Sequence, residues 1–108
     1  MQCNLTFTKT ELAYNIVMNN EKFEKLMRKV KLSNKIALIV DGVAARVYEH
    51  TPTGTLNIGI GEPVCKDLNV KSLHDFSFGS TYIGCYDKNG EEHIIELIRY
   101  ENINELLD

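Results

Sequence analysis

The spacing of apolar residues changes near Ser33, from a helical period before it to strand-like alternation and tight turns after it. At the start of the chain, Cys3 to Phe7 alternates apolar and polar residues, as a strand with one buried face does. Two apolar stripes at helical spacing follow, at Leu12 to Val17 and Phe23 to Val30. This half of the pattern predicts an N-terminal strand followed by two short helices or one bent helix.

Turn signals divide the middle of the chain into three strands. The apolar runs Ile36 to Val40 and Val43 to His50 are separated by Asp41-Gly42, a two-residue hairpin signal, because both turn positions need positive φ. A second turn, at Thr51 to Gly54, leads to a third strand at Thr55 to Ile60. The three runs predict one antiparallel meander.

A hairpin is also predicted near the C-terminus, from Ser80 to Tyr86 and from Glu92 to Tyr100. Two registers compete for it. A two-residue Asn-Gly loop places Ile83 opposite Glu96, whereas a type I turn with a glycine bulge places Ile83 opposite Ile95. We favour the second register, because it groups apolar side chains on one face.

The remaining segments have weaker patterns. Val64 to Gly79 has no clean period, although Asn69 is placed to cap a short helix reaching Asp75, and Asn102 to Leu107 has the pattern of a short terminal helix. Taken together, the chain predicts one α+β domain over residues 1–108. Its antiparallel sheet has five to six strands, comprising the N-terminal strand, the three-stranded meander and the C-terminal hairpin, packed against one or two N-terminal helices.

Composition indicates an ordinary folded domain. Apolar residues make up 44% and charged residues 25% of the 108 positions, so the chain needs no metal or disulfide to fold. No apolar stretch approaches the length of a membrane span, and the N-terminus lacks the basic and apolar regions of a signal peptide. The three cysteines form no CxxC pair. We expect a soluble, cytoplasmic protein in a reducing compartment.

Charge is distributed unevenly around a net value of −3. Glu21 to Lys35 carries six basic and two acidic residues, whereas Asp87 to Asp108 carries seven acidic and two basic ones. Lysines on the second helical stripe are placed to contact nucleic-acid phosphates. Because the net charge is negative and the C-terminal end is acidic, we expect this helix face to be solvated rather than bound to nucleic acid.

The sequence contains no strong catalytic, metal or phosphate motif. Cys85 opposite His93 resembles a nucleophile and base, but no oxyanion element or orienting carboxylate accompanies them. His50 and His74 have no ligand spacing with His93. Gly59-Ile60-Gly61 ends a strand without a following helix, unlike a phosphate loop. We therefore expect no catalytic residue, metal or cofactor.

Both faces of the C-terminal hairpin carry apolar residues. A chain of this length has too few helices to cover both faces. An exposed apolar face with tyrosines suits a protein partner, and the alternative is that the terminal helix of this chain covers the second face. The main hypothesis is a protein-interaction module that acts as a homodimer and serves as an inhibitor or adaptor encoded by a phage or other mobile element. The frequent lysine, asparagine and isoleucine residues indicate only an AT-rich coding genome. The predicted contact residues of the module are Tyr82, Tyr86, Ile94 and Ile98 of the hairpin, with Lys22 and Lys25 of the basic helix.

An alternative hypothesis comes from the irregular segment 62–79. Long irregular segments are often functional. Polar groups for a small-molecule or nucleotide site, or for a small enzyme, would come from Lys66, Asp67, Lys71, His74 and Asp75.

Overall fold

The computed structural model describes residues 18–33 and 35–98. The predicted N-terminal strand (3–7), the first helical stripe (12–17) and the terminal helix (102–107) lie outside these ranges. The described elements, in chain order, are α1 (Asn20–Leu32), β1 (Ala37–Val40), β2 (Val43–His50), β3 (Thr55–Ile60), β4 (Lys66–Asn69), the 3-10 turn η1 (Val70–Ser72), β5 (His74–Phe78), β6 (Tyr82–Tyr86) and β7 (Glu92–Ile98).

All seven strands form one antiparallel sheet in the order β4-β3-β2-β1-β7-β6-β5. The two edge strands, β4 and β5, are consecutive in the chain and are joined only by η1 and Leu73. A flat sheet of this size would place its edges about 29 Å apart. The step from Asn69 to His74 spans at most about 17 Å. The sheet is therefore curled into a half-barrel, with α1 on its concave side.

The predicted α+β fold, with five to six strands and one or two helices, is wrong: the described residues form a sheet-dominated fold with seven strands and a single helix. The error lies in the segment 64–79. Asn69 accepts a hydrogen bond from the Lys71 amide as predicted, but the turn ends at Ser72 and does not reach Asp75. The flanking residues form β4 and β5.

These two edge strands gave no periodic signal for physical reasons. β4 is four residues long, and only Leu68 is buried. In β5 the register shifts between His74 and Ser77, and Asp75 has a positive φ of 54°. A bulge of this kind breaks the alternation of apolar and polar positions.

The hairpin predictions are confirmed. Asp41 and Gly42 both have positive φ, at 53° and 80°, and Val40 pairs with Val43. At the C-terminal hairpin, Ile83 lies opposite Ile95, the register that the glycine bulge requires. β2 and β3 complete the predicted meander with β1.

Helix α1 closes the concave side of the sheet. The Asn19 side chain caps it by accepting from the Lys22 amide at 2.9 Å. Phe23 is fully buried, and its ring centroid lies 4.9 Å from that of Phe76 in β5. Asn20 donates from its amide to the carbonyl of Leu73, next to η1. The helix is thus attached to the segment that joins the two sheet edges.

The hydrophobic core lies between α1 and the concave face, which we call the inner face. Strand residues alternate between this core and the convex outer face, as the period of two requires. The core residues are Met18, Phe23, Leu26, Met27, Val30, Leu38, Val40, Leu56, Ile58, Ile60, Leu68, Val70, Leu73, Ile83, Cys85, Ile95 and Leu97.

Candidate functional site

The outer face of β1, β7 and β6 carries a group of large exposed apolar side chains. Because Leu38, Ile95 and Ile83 point into the core, their neighbours along β1, β7 and β6 point outward. We call the outward residues of these strands the outer patch: Ala37, Ile39, Tyr82, Gly84, Tyr86, Glu92, Ile94, Glu96 and Ile98. Its tyrosines and two of its isoleucines are between 39% and 46% exposed.

The structure brings four predicted contact residues together and separates the other two from them. Tyr82, Tyr86, Ile94 and Ile98 all belong to the outer patch. The basic residues Lys22 and Lys25 are exposed on α1, which packs against the inner face. The basic helix surface and the outer patch therefore lie on opposite sides of the sheet.

Gly84 lies between the two tyrosines of β6 and is buried by its neighbours. A Cβ atom added at Gly84 would lie 3.0 Å from Ser77 Oγ and 3.6 Å from Ile94 Cδ1, so these side chains fill the space above the glycine. The outer patch is therefore closed between Tyr82 and Tyr86.

Both tyrosine rings are supported by neighbouring groups. Tyr86 stacks on His74 at a centroid distance of 6.5 Å. The Tyr82 ring lies against Gly79, where an added Cβ atom would be 2.5 Å from Tyr82 Cε1. Rings fixed in this way lose little conformational entropy when a partner covers them.

A second notable feature lies at one end of the inner face, where a buried histidine is held between two carboxylates. His93 is 1% exposed. Its Nδ1 lies 2.7 Å from Asp41 Oδ2, and its Nε2 lies 2.9 Å from Asp87 Oδ2. Because both ring nitrogens face carboxylate oxygens, the geometry is that of an imidazolium donating two hydrogen bonds.

The ionisation of these groups follows from their contacts. Burial lowers the pKa of His93, but the hydrogen bonds to Asp41 and Asp87 outweigh it, so the net pKa lies above its ordinary value. The hydrogen bond from His93, with those from the amides of Glu91 and Asn89, lowers the pKa of Asp87 to about 2. The charged forms are thus stabilised in the folded protein.

This cluster does not form the catalytic pair considered from the sequence. Cys85 lies opposite His93 as predicted. Burial, followed by the charges of Asp41 and Asp87, raises the pKa of Cys85 to about 12. Both nitrogens of His93 are engaged by carboxylates, so neither is available to take the thiol proton. The geometry is structural rather than nucleophilic.

Three of these side chains also resemble metal ligands. Asp87, Glu91 and His93 place one potential ligand atom each within 4.8 Å of one another. Each is already engaged, because His93 binds Asp87 and the ammonium group of Lys66 binds Glu91. The imidazolium and Lys66 set two positive charges against the three carboxylates of Asp41, Asp87 and Glu91.

Sequence analysis missed the two carboxylate partners of His93. Asp41 and Asp87 were assigned only to turns. The sequence does show that both aspartates begin hairpin turns and that the histidine follows the second turn in β7. Finding the contact required the pairing of β1 with β7, which places Val40 opposite Ile95.

A polar cleft with a volume of about 450 Å³ lies between β4, η1 and the turn before β7. Three residues of the predicted 62–79 site line it, namely Lys66, Asp67 and Lys71. The other two, His74 and Asp75, belong to β5 and do not line the cleft. The structure thus joins part of that predicted site to the turn that carries Lys88.

Comparison of the chain with protein-family models, with curated proteins and with solved structures found no match. Within the described residues, no helix combines the length and the apolar character needed to cross a membrane.

Proposed function

We propose that this chain is a cytoplasmic protein-interaction module that binds another protein chain through the outer patch and acts as an inhibitor or adaptor. The observation that carries the proposal is the exposure of Tyr82, Tyr86, Ile94 and Ile98, at 39% to 46%, on the outer face of β6 and β7. Covering apolar surface contributes about 25 cal/mol per Å². A partner that covers these side chains gains this stabilisation.

The chemistry of the outer patch supports this role. Tyrosines are enriched among the residues that contribute most to protein interfaces. The rings of Tyr86 and Tyr82 are supported by His74 and Gly79, which reduces the entropic cost of binding. Among the described cysteines, Cys85 is buried with a raised pKa. These features favour binding over covalent chemistry.

The test is capture of host proteins by immobilised wild-type chain and by two matched variants. Ile94→Arg places a charge in the outer patch, whereas Leu32→Arg places the same charge at the end of α1, where Leu32 is 82% exposed. We expect a protein retained by the wild type and by Leu32→Arg, and lost from Ile94→Arg. A protein retained equally by all three forms would place the binding surface elsewhere and contradict the proposal.

The polar cleft supports a second candidate function, binding of a small anionic molecule such as a nucleotide. Three lysines, Lys66, Lys71 and Lys88, border it beside the carboxylates of Asp67 and Asp87. The buried Asn57 side-chain oxygen at the cleft is an acceptor without a hydrogen-bond partner, which suits a donor group such as the amino group of a base. A thermal-shift screen against nucleotides tests this function. We would expect stabilisation that Lys71→Ala removes and that Lys31→Ala, at the end of α1 away from η1, preserves.

A further inference from the structure

Three potential metal ligands meet where the turn before β7 enters that strand. One ligand atom each from Asp87, Glu91 and His93 lies within 4.8 Å of the other two. His93 Nε2 is 2.9 Å from Asp87 Oδ2 and 3.8 Å from Glu91 Oε1. Ligands bound tetrahedrally at about 2.0 to 2.2 Å from a zinc ion are separated from one another by about 3.3 to 3.6 Å. The two measured distances lie on either side of this range, so small side-chain shifts bring these atoms into one coordination sphere.

The turn before β7 places the two carboxylates. Asp87 Oδ1 accepts hydrogen bonds from the backbone amides of Asn89 and Glu91, at 2.8 and 3.0 Å. The turn is thus folded around one oxygen of Asp87, and the other oxygen, Oδ2, is directed at His93. Glu91 belongs to the same turn, and its side chain is more than half exposed, so it can move toward an ion.

The imidazole of His93 is oriented by Asp41. Its Nδ1 lies 2.7 Å from Asp41 Oδ2, and the backbone amide of Ile94 holds the other oxygen of this carboxylate. A metal-binding histidine almost always donates its second ring nitrogen to a carboxylate or carbonyl, which fixes the ring and strengthens it as a ligand. The remaining nitrogen, Nε2, is the one that lies beside the oxygens of Asp87 and Glu91.

The charges of the cluster favour one further positive charge. The carboxylates of Asp41, Asp87 and Glu91 carry three negative charges, whereas the imidazolium and Lys66 carry two positive ones. Exchange of the Nε2 proton for a divalent cation removes one positive charge and adds two, so these groups together become neutral. His93 and Asp87 are almost fully buried, where an unbalanced charge is costly.

The polar cleft gives an ion a route to these ligands. Asp87 and Lys66 line the cleft and also belong to the cluster. The ammonium group of Lys66 binds Glu91, but the Lys66 side chain is 44% exposed and can turn away into solvent. Water in the cleft can then supply the ligand that three protein atoms leave open in a tetrahedral site.

We propose that Asp87, Glu91 and His93 bind a divalent transition-metal ion such as zinc. A water molecule from the cleft completes the coordination, and Asp41 is the positioning residue for the imidazole. On binding, the lone pair of His93 Nε2 coordinates the metal ion, the Nε2 proton leaves to solvent, and the Lys66 ammonium group moves away from Glu91. One imidazole nitrogen and two carboxylate oxygens form a ligand set that zinc accepts. This site goes beyond the proposed function and does not depend on it.

The experiment is a calorimetric titration of the full chain, purified without a histidine tag, with zinc chloride near neutral pH. We expect one zinc ion to bind per chain. Glu91→Gln changes an exposed ligand and keeps the buried pair of His93 and Asp87, so it should fold and should weaken zinc binding about tenfold or more. Glu92→Gln removes the same charge at the next position, on the outer face, and should change the dissociation constant by less than about twofold.

Lys66→Met should change zinc affinity in the opposite direction. The variant removes the ammonium group that competes with the metal ion for Glu91 and keeps an unbranched side chain of similar size. We expect zinc to bind about threefold more tightly or better, because no positive group has to leave the site. Unchanged or weaker binding would contradict the coordination of zinc by Glu91.

Nitrogen NMR of the histidine side chains identifies the coordinating atom. The Nε2 resonance of His93 should take the shift of a metal-bound nitrogen, whereas those of His50 and His74, which are exposed, should not. Absence of binding up to about 1 mM zinc, equal affinities of Glu91→Gln and wild type, or metal shifts confined to the exposed histidines would overturn the site. Each of these results leaves the outer patch to its own capture test, so the two proposals can fail separately.

Discussion

The imidazole Nδ1 of His93 lies 2.7 Å from Asp41 Oδ2, across 52 positions of sequence. The other oxygen of the same carboxylate accepts the backbone amide of Ile94 at 2.9 Å. One side chain of the first hairpin turn therefore fixes both a buried residue and the adjacent residue of the outer patch. The His93 cluster positions the strand that carries the proposed binding surface.

The free energy of unfolding should decrease both above pH 6.5 and below about pH 4, because two groups of the His93 cluster have shifted pKa values. The folded-state pKa of His93 lies above its ordinary value of 6.5, so its contribution is complete below pH 6.5 and is lost as the pH rises through the folded value. The pKa of Asp87 falls from 3.8 to about 2, so its contribution is complete above about pH 4 and is lost as the pH falls toward 2. We expect a maximum between these limits.

Urea unfolding at pH values from 2 to 9 measures this profile. His93→Asn should remove much of the decline above pH 6.5, and Asp87→Asn should remove much of the decline below pH 4. His50→Asn, at an exposed histidine, serves as the control and should preserve both arms. A wild-type free energy of unfolding that stays constant from pH 5 to 9 would contradict the imidazolium assignment.

Replacing His93 by alanine should destabilise the fold strongly. The variant leaves the Asp87 carboxylate, which is 5% exposed, without its imidazolium partner. Removing one member of a buried ion pair typically costs about 3 kcal/mol or more. The free energy of unfolding at pH 6 checks this value, and His50→Ala should change it by less than about 0.5 kcal/mol. Equal effects of the two variants would show that the cluster adds no stability.

The sequence predicted those parts of the fold that depend on local chemistry. Asp41-Gly42 specifies a hairpin register because the turn itself requires positive φ at both positions. The pairing of Ile83 with Ile95 followed from grouping apolar residues on one face. Both features depend on residues close together in the chain.

Long-range pairing could not be predicted in this way. The contact between β1 and β7 joins segments more than 50 residues apart, and it alone brings Asp41 to His93. The closure of the half-barrel depends on β4 and β5, whose patterns are short or interrupted by a bulge. The exposed tyrosines were foreseen, but their separation from Lys22 and Lys25 required the position of α1 relative to the sheet.

Phe23→Ala should loosen the attachment of α1 to the edge of the sheet. Phe23 is completely buried and contacts the ring of Phe76 in β5. Truncation of a buried phenylalanine typically costs about 3 to 5 kcal/mol. Urea unfolding measures the loss, and Leu32→Ala, on the same helix but 82% exposed, is the matched control with an expected change under about 0.5 kcal/mol. A loss of unfolding free energy as small as that of Leu32→Ala would show that the helix contributes little to the core.

The two described cysteines should differ sharply in reactivity. Cys65 is exposed, whereas Cys85 is 1% exposed with a pKa raised to about 12, so its thiolate is scarce near neutral pH. Iodoacetamide at pH 8 should label Cys65 in the native protein and label Cys85 only after unfolding in urea. Peptide mass spectrometry measures each site separately, and the rate of Cys85 labelling should increase in His93→Ala, because a less stable fold opens more often. Rapid native labelling of Cys85 would contradict its burial in the core and reopen the question of a reactive thiol beside His93.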